Sequence, residues 1–324
     1  QHAAAAAAAA PAAWRTAVTA GGDDFRCVDQ YLKYDDIVGV LQQLVERHPN
    51  VVRRVVIGKT YDGRDIHGVE INATASATRS MYVDGGIHAR EWIAPATALN
   101  VAVNLAERRN DDAAIGELLR TYAVTVVPVL NVDGYVYTTT TNRMWRKTRR
   151  RNGDGSYGVD ANRNCDVHWC ERGASRTPSS ETYCGPYADS ESEVVATQAY
   201  VRALRAPLVY WNLHSYGQEI LVPYAWTSTA PADRADHLEA AERMWQAVKD
   251  TNGVAYDRPR PPNGRYSGFV MDAMYDAGVK YSGLVELRDR GAHGFLLPAS
   301  QICAQSHEVF NGLLAHAAYA AEHP

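Results

Sequence analysis

Residues Tyr82–Trp92 read YVDGGIHAREW, and the reading of this stretch decides the fold. The apolar run from Ser80 has the character of a buried strand. Gly85-Gly86 then ends the strand and opens a loop. That loop presents His88 and Glu91 three residues apart, with Arg90 between them. An imidazole and a carboxylate at this spacing can reach one metal ion, and Zn²⁺ accepts both donors. Two donors are half a site. A third ligand, a base and a means of holding substrate have to come from elsewhere in the chain.

The chain has 324 residues, 46% of them hydrophobic, enough to bury a large core. Charged residues are 22% and the net charge is −4, so no global field favours nucleic acid or an anionic membrane. No apolar run is long enough to span a bilayer. Residues 1–24 are Ala-rich and are expected to be a disordered or processed tail. With the sequon Asn72-Ala73-Thr74 and the cysteine pattern, the tail points to a secreted, extracellular protein. Nothing in the sequence requires an oligomer, and a monomer is expected.

The folded part begins near Phe25. Asp35 or Asp36 is placed to cap a helix carrying Ile37, Val40, Leu41, Leu44 and Val45 on one face, and Pro49 ends it. Residues 51–57 and 65–71 read as a hairpin around the turn Tyr61-Asp62-Gly63-Arg64. A strand over 80–85 and a helix over 94–108 follow. Residues 122–130 form a near-continuous β-branched run, expected as a strand buried on both faces. Residues 131–187 are rich in Gly, Asn, Arg and Ser and read as a long loop region, a common seat of function. Helices are expected over 190–204, 232–251 and from 300 to the C-terminus, with strands over 207–214 and 280–287. The alternation predicts a single α/β domain, a mixed parallel/antiparallel twisted sheet with helices on both faces.

The third ligand is best supplied by His214, in YWNLHSYGQE at the end of a buried strand. Functional groups in open α/β sheets gather at the carboxyl ends of strands. A His, Glu, His set leaves a coordination position for water, the pattern of a catalytic zinc. Glu286, in YSGLVELRDRG, leaves another apolar strand. It is either the base that activates that water or an ion-pair partner of Arg288 or Arg290. The loop region carries Arg146 after Trp145, and Asn162-Arg163 in GVDANRN. Arg pairs bidentately with carboxylates, so Arg163 could hold an anionic substrate terminus. Read from its residues, the chain is a zinc hydrolase with an Arg-lined anion pocket.

From Phe25 to the C-terminus the chain resembles the zinc metallocarboxypeptidases of the carboxypeptidase A/B type. The resemblance is carried in order by YDGRDI, GGIHAREWI, NVDGY, MWRKTR, GVDANRN, SETYCGP, LHSYGQ and VELRDRGAHGFLLPASQI. It implies that residues 25–324 are one catalytic domain acting on peptide or protein C-termini. His88, Glu91 and His214 would hold one Zn²⁺, and Glu286 would be the general base. Arg146 would stabilise the oxyanion. Asn162 and Arg163 would bind the terminal carboxylate, with Arg90 and Tyr216 contacting substrate too. Asp160 would orient His88. Tyr266 would be the mobile tyrosine that covers the bound terminus, on a segment two residues shorter than the usual pattern. NVDG stands where the family commonly has Asn-Pro-Asp-Gly.

The resemblance also bears on specificity. In the B type an acidic residue at the pocket floor pairs with a C-terminal Lys or Arg, and the matching position here is Met271. Leu221, Ala225 and Leu284 would line the same pocket, with Leu284 narrowing it against the largest rings. Such a pocket rejects a charge it cannot pair, so an A-type preference for aliphatic or aromatic C-terminal residues is expected. Cys170 and Cys184 match a disulfide of the B-type enzymes. Cys27 with Cys303 is a further possible pair, which leaves Cys165 single. Family members are often made with an inhibitory pro-segment, and none is expected before Phe25. An inactive, peptide-binding relative would lack a ligand or the base, and both are present. A hydrolase of another amide substrate would not need the Asn162-Arg163 clamp.

Overall fold

The computed structural model describes residues 15–16, 24–72, 77–262 and 264–324. The Ala-rich tail other than residues 15, 16 and 24, and Ala73 and Thr74 of the sequon, lie outside the described residues. A short antiparallel pair comes first, β1 (Arg15–Thr16) with β2 (Arg26–Cys27). Helix α1 (Tyr34–Arg47) buries Tyr34, Ile37, Val40, Leu41 and Leu44. Its N-cap is Lys33, and the expected caps Asp35 and Asp36 lie within the first turn, where their charge favours the helix dipole. Pro49 disfavours helical geometry at His48, and the helix stops at Arg47.

The hairpin β3 (Val52–Lys59) and β4 (Asp65–Ile71) follows, then β5 (Arg79–Gly85), α2 (Ile93–Glu107), α3 (Ala113–Thr121), β6 (Tyr122–Val127) and α4 (Val132–Thr140). Strand β6 ends before the expected Leu130 because Pro128 has no N–H to donate to a ladder. The region expected as loop over 131–187 contains α4 and a 3₁₀ turn at Ala161–Arg163. Beyond it come α5 (Ser192–Ala203), β7 (Pro207–Ser215), β8 (Glu219–Leu221), α6 (Arg234–Asn252), α7 (Val270–Asp276), β9 (Tyr281–Leu287) and α8 (Ile302–Glu322).

Seven strands form one sheet in the order β3-β4-β6-β5-β7-β9-β8. The central β6, β5, β7 and β9 are parallel, while β3 and β4 on one side and β8 on the other are antiparallel. Their apolar residues on both sheet faces call for cover on both sides. Helix α2 lies on β4, β5, β6 and β7 and meets α1 and α8, which in turn packs on α6. Helices α5 and α7 touch one another and cover β3, β7 and β9. The chain leaves β5 to build β6 on one side and later returns to build β7 on the other. This reversal is the topological switch point at which open α/β sheets place their ligands. The carboxyl ends of β5, β7 and β9 are the segments that carry His88, His214 and Glu286. Two disulfides, Cys27–Cys303 and Cys170–Cys184, are formed, and Cys165 is a buried free thiol.

Candidate active site

The loop after β5 is shaped by its two glycines. A Cβ on Gly85 would lie 2.8 Å from the Ala94 backbone, and Gly86 has a φ of +68°, a conformation glycine adopts without penalty. Their carbonyls accept from the backbone of Leu130 (2.9 Å) and Asn131 (3.1 Å), and Ala89 N donates to Arg146 O at 3.0 Å. The Asn131 amide donates to Ile87 O (3.2 Å) and Lys147 O (3.0 Å). The strand end, the NVDG turn and the Arg146 segment are thus held as one unit.

His88, Glu91 and His214 converge in it, all buried. His88 Nδ1 is 2.8 Å from Glu91 Oε1, and His214 Nδ1 is 3.1 Å from both Glu91 Oε2 and His88 Nδ1. Ser215 N donates to Glu91 Oε2 at 3.1 Å. Burial lowers the His214 pKa from 6.5 to about 4, so its ring is neutral at pH 7. For Glu91, burial works upward, but His88 and His214 outweigh it and hold the carboxyl below its usual range. Two ring nitrogens turned toward each other and a carboxylate form a donor set with no apolar or cationic group of its own. It fits a zinc ion with room for a further ligand.

Around this cluster, Asp160 is shared. Its Oδ1 lies 3.1 Å from His88 Nε2, and its Oδ2 accepts from Arg146 at 2.9 and 3.2 Å. Burial alone would raise Asp160, but Arg146, then Arg163 and His88, hold it well below the usual carboxylate range. Asn162 Oδ1 accepts from Val270 N at 3.0 Å, anchoring the turn to α7. Arg163 donates to Gly173 O and Asn162 O, both at 2.9 Å, and its guanidinium lies 4.7 Å from the Phe269 ring and 5.2 Å from that of Tyr266. Glu286 is opposite His214 in the β7–β9 register. The two cations that could have occupied it are taken: Arg288 pairs with Glu308, and Arg290 with Asp257. Burial, then Glu91, pushes the Glu286 pKa well above its ordinary value.

These groups face a cavity of about 420 Å³ lined by His88, Glu91, Arg146, Asn162, Arg163, His214, Tyr216, Tyr266 and Glu286 among others. Leu221 and Leu284 form its apolar wall with Phe269. Met271 and Ala225 belong to the same apolar cluster, but they stand outside the residues that line the cavity. Arg90 is also outside that lining; it pairs with Glu181 at 3.1 Å and covers the Phe295 ring at 4.3 Å. Tyr216 is 40% exposed and packs edge-on against Phe295. Four lining residues were not singled out from sequence: Ser215, Glu219, Phe269 and Phe295. Phe269 stacks on Tyr266 with centroids 5.5 Å apart. Glu219 is opposite Glu286 in the β8–β9 register and pairs with Arg260 at 3.0 Å. The alternation Glu219, Leu221 was the available signal, on a strand of three residues.

A family model described as zinc carboxypeptidase matches residues 37–312. The chain belongs to the zinc carboxypeptidase family. It is a metallocarboxypeptidase, a peptidase among the hydrolases. Carboxypeptidase A2 of Rattus norvegicus is 38% identical over 299 residues, covering 91% of this chain and 72% of that protein. Carboxypeptidase B of Homo sapiens is 37% identical over 299 residues with the same coverage. Bovine thrombin-activatable fibrinolysis inhibitor, solved in complex with a tick carboxypeptidase inhibitor, matches with a TM-score of 0.84 at 32% identity, covering 91% of this chain and 99% of that one. A-type and B-type zinc carboxypeptidases are matched almost equally, so likeness does not choose between their specificities.

Proposed function

We propose that this zinc carboxypeptidase releases aliphatic and aromatic residues from peptide and protein C-termini outside the cell, and that residues 25–324 are its catalytic domain. The observation that carries the reading is the single cavity in which the His88, Glu91 and His214 donors, Glu286, the Asn162-Arg163 turn and an apolar wall meet. His88, Glu91 and His214 would hold one Zn²⁺, which when bound supplies a Lewis acid for the scissile carbonyl and acidifies water. Asp160 orients His88 and holds Arg146 in place. Asn162 and Arg163 bind the terminal carboxylate, which restricts cleavage to the last peptide bond. Glu286 takes the proton of the attacking water and delivers it to the leaving amine; its raised pKa suits it to both transfers. Arg146 offsets the negative charge that develops on the carbonyl oxygen.

Leu221, Leu284 and Phe269 receive the terminal side chain, with Met271 and Ala225 completing the apolar cluster. Tyr266 on Phe269 covers the bound terminus. Tyr216, and Arg90 beyond the cavity, meet the residues upstream. Extracellular location is supported by the two disulfides, and among the described residues no helix is long and apolar enough to cross a membrane. The test is a release assay on matched peptides ending in Phe, Leu, Arg and Glu, with and without chelator. Chelator-sensitive release of Phe and Leu ahead of Arg is expected. Faster release of Arg would overturn the specificity, and no chelator-sensitive release from any peptide would overturn the function.

A further inference from the structure

The opening stretch contains a carboxylate that the chemistry above does not use. Asp84 is the penultimate residue of β5 and is fully buried, as is its register partner Asn212 on β7. Asn212 is two residues before His214, so on a strand the two side chains share a face. A continuous chain of hydrogen bonds results. Tyr210 Oη donates to Asp84 Oδ2 at 2.9 Å. Asn212 Nδ2 donates to Asp84 Oδ1, and Asn212 Oδ1 meets His214 Nε2. The opposite ring nitrogen, His214 Nδ1, faces Glu91 and His88.

We propose that Asp84 and Asn212 are positioning residues that fix the tautomer of His214, keeping the proton on Nε2 and the Nδ1 lone pair turned into the metal site. The inference rests on His214 acting as a ligand through Nδ1. Burial raises the Asp84 pKa to about 7, and above that pH the ionised carboxylate, receiving donors from Tyr210 and Asn212, offers acceptors only, so the edge of Asn212 that faces it is its NH₂. The edge left for His214 is then the carbonyl oxygen, which accepts and cannot donate. His214 therefore places its one proton on Nε2. The other polar group near that nitrogen is Asn162 Nδ2 at 3.5 Å, a donor that cannot take the proton, since Asn162 Oδ1 is occupied by Val270 N. His88 reaches the same arrangement directly, with Nε2 on Asp160 and Nδ1 inward. For His214 a neutral amide stands between ring and carboxylate, so a second negative charge is kept away from Glu91. Partners of this kind orient metal-binding histidines and set their basicity.

Asp84→Asn tests the relay. The new amide can present either edge to Asn212, which frees Asn212 to turn its NH₂ toward His214 and favour the tautomer with the proton on Nδ1. Zinc affinity, measured by competition with a chromogenic chelator at fixed pH, is expected to fall about 10- to 100-fold in Asp84→Asn and in Asn212→Ala. Melting of the metal-free proteins is read alongside. The spectroscopic signature is the ¹H–¹⁵N correlation of the His214 ring in the metal-free wild type, which should report protonation on Nε2. Because it needs no variant, it decides the matter even where a substitution fails to fold. Wild-type protonation on Nδ1, or unchanged zinc affinity in both folded variants, would overturn the inference. His214→Ala separates the two levels. If it binds zinc like the wild type, the ligand assignment falls and the relay with it; if it loses zinc while Asp84→Asn does not, the relay alone falls.

Discussion

Glu286 is the residue on which the proposed chemistry turns, because it is a carboxylate in the cavity wall with its two neighbouring cations engaged elsewhere. Glu286→Gln should lower kcat by roughly 10²–10⁴-fold while metal analysis still finds bound zinc. Loss of zinc in that variant would make Glu286 a ligand instead. If Leu284 sets the width of the proposed side-chain pocket, Leu284→Ala should raise kcat/KM for C-terminal Trp over Leu by about tenfold. An unchanged ratio in the folded variant would move the side-chain pocket elsewhere. The polar groups at this scale were legible because they stand out at the end of apolar strands: His214 and Glu286 are each one residue from the end of theirs, and His88 follows β5 across the Gly85-Gly86 bend. Phe269, Phe295 and Glu219 were not, since an aromatic on a loop or an acid on a three-residue strand looks the same whether it faces solvent or substrate. That Arg288 and Arg290 pair with other acids than Glu286 also needed three dimensions, because Glu308 and Asp257 approach them from distant parts of the chain.

Among the elements, those with long periodic patterns were readable from sequence. Strand β4 (Asp65–Ile71) matches its expected bounds, and β5, β7, β9, α2 and α5 differ by no more than two residues at either end. Elements whose conformation is imposed by neighbours were not. Helix α4 reads VDGYVYTTT, weak helix-forming residues, and it is nucleated by Asn131, whose side chain accepts from Gly134 N at 2.9 Å. Helix α7 has seven residues and β8 three, too short for a period to show. Helix α3 has nine residues, is capped by Asp112, whose side chain accepts from Ala114 N and Ile115 N, and is likewise too short for its period to stand out. The irregular segment between α4 and α5 is held by Cys170–Cys184, which closes a separation of 14 residues. Replacing both cysteines by Ser should remove about 3 kcal/mol in the loop-entropy picture. For a chain of this size that is a melting point about 4 °C lower. Because Gly173, the partner of Arg163, lies within the closed loop, KM should rise as well. A lower melting point with unchanged KM would show that the bridge stabilises the fold without shaping the clamp.

For the molecule as a whole, stability should depend on pH through carboxylates buried far from the cavity, and Glu193 isolates the effect. It lies in the first turn of α5, is fully buried, and its Oε1 has no hydrogen-bond partner among the described residues. Burial raises its pKa from 4.5 to about 8, with Glu191 and Asp133 adding to the rise. Between those values the folded chain keeps the proton and the unfolded chain has lost it. The unfolded state then binds fewer protons, so stability falls as pH rises from about 4.5 to about 8 and is level outside that window. His316 works in the opposite sense. Burial lowers its pKa from 6.5 to about 3, so its contribution is lost as pH falls through that range. The wild-type curve therefore mixes both, and the difference between wild type and Glu193→Gln does not. Gln has the same shape and carries no charge at any pH. Its melting point should sit close to the wild type at pH 5 and above it at pH 8, with the gap opening steadily between them. A gap that stays constant from pH 5 to 8 would mean that Glu193 is ionised in the fold, its charge met by a partner that the packing of α5 against β3 and α7 does not provide.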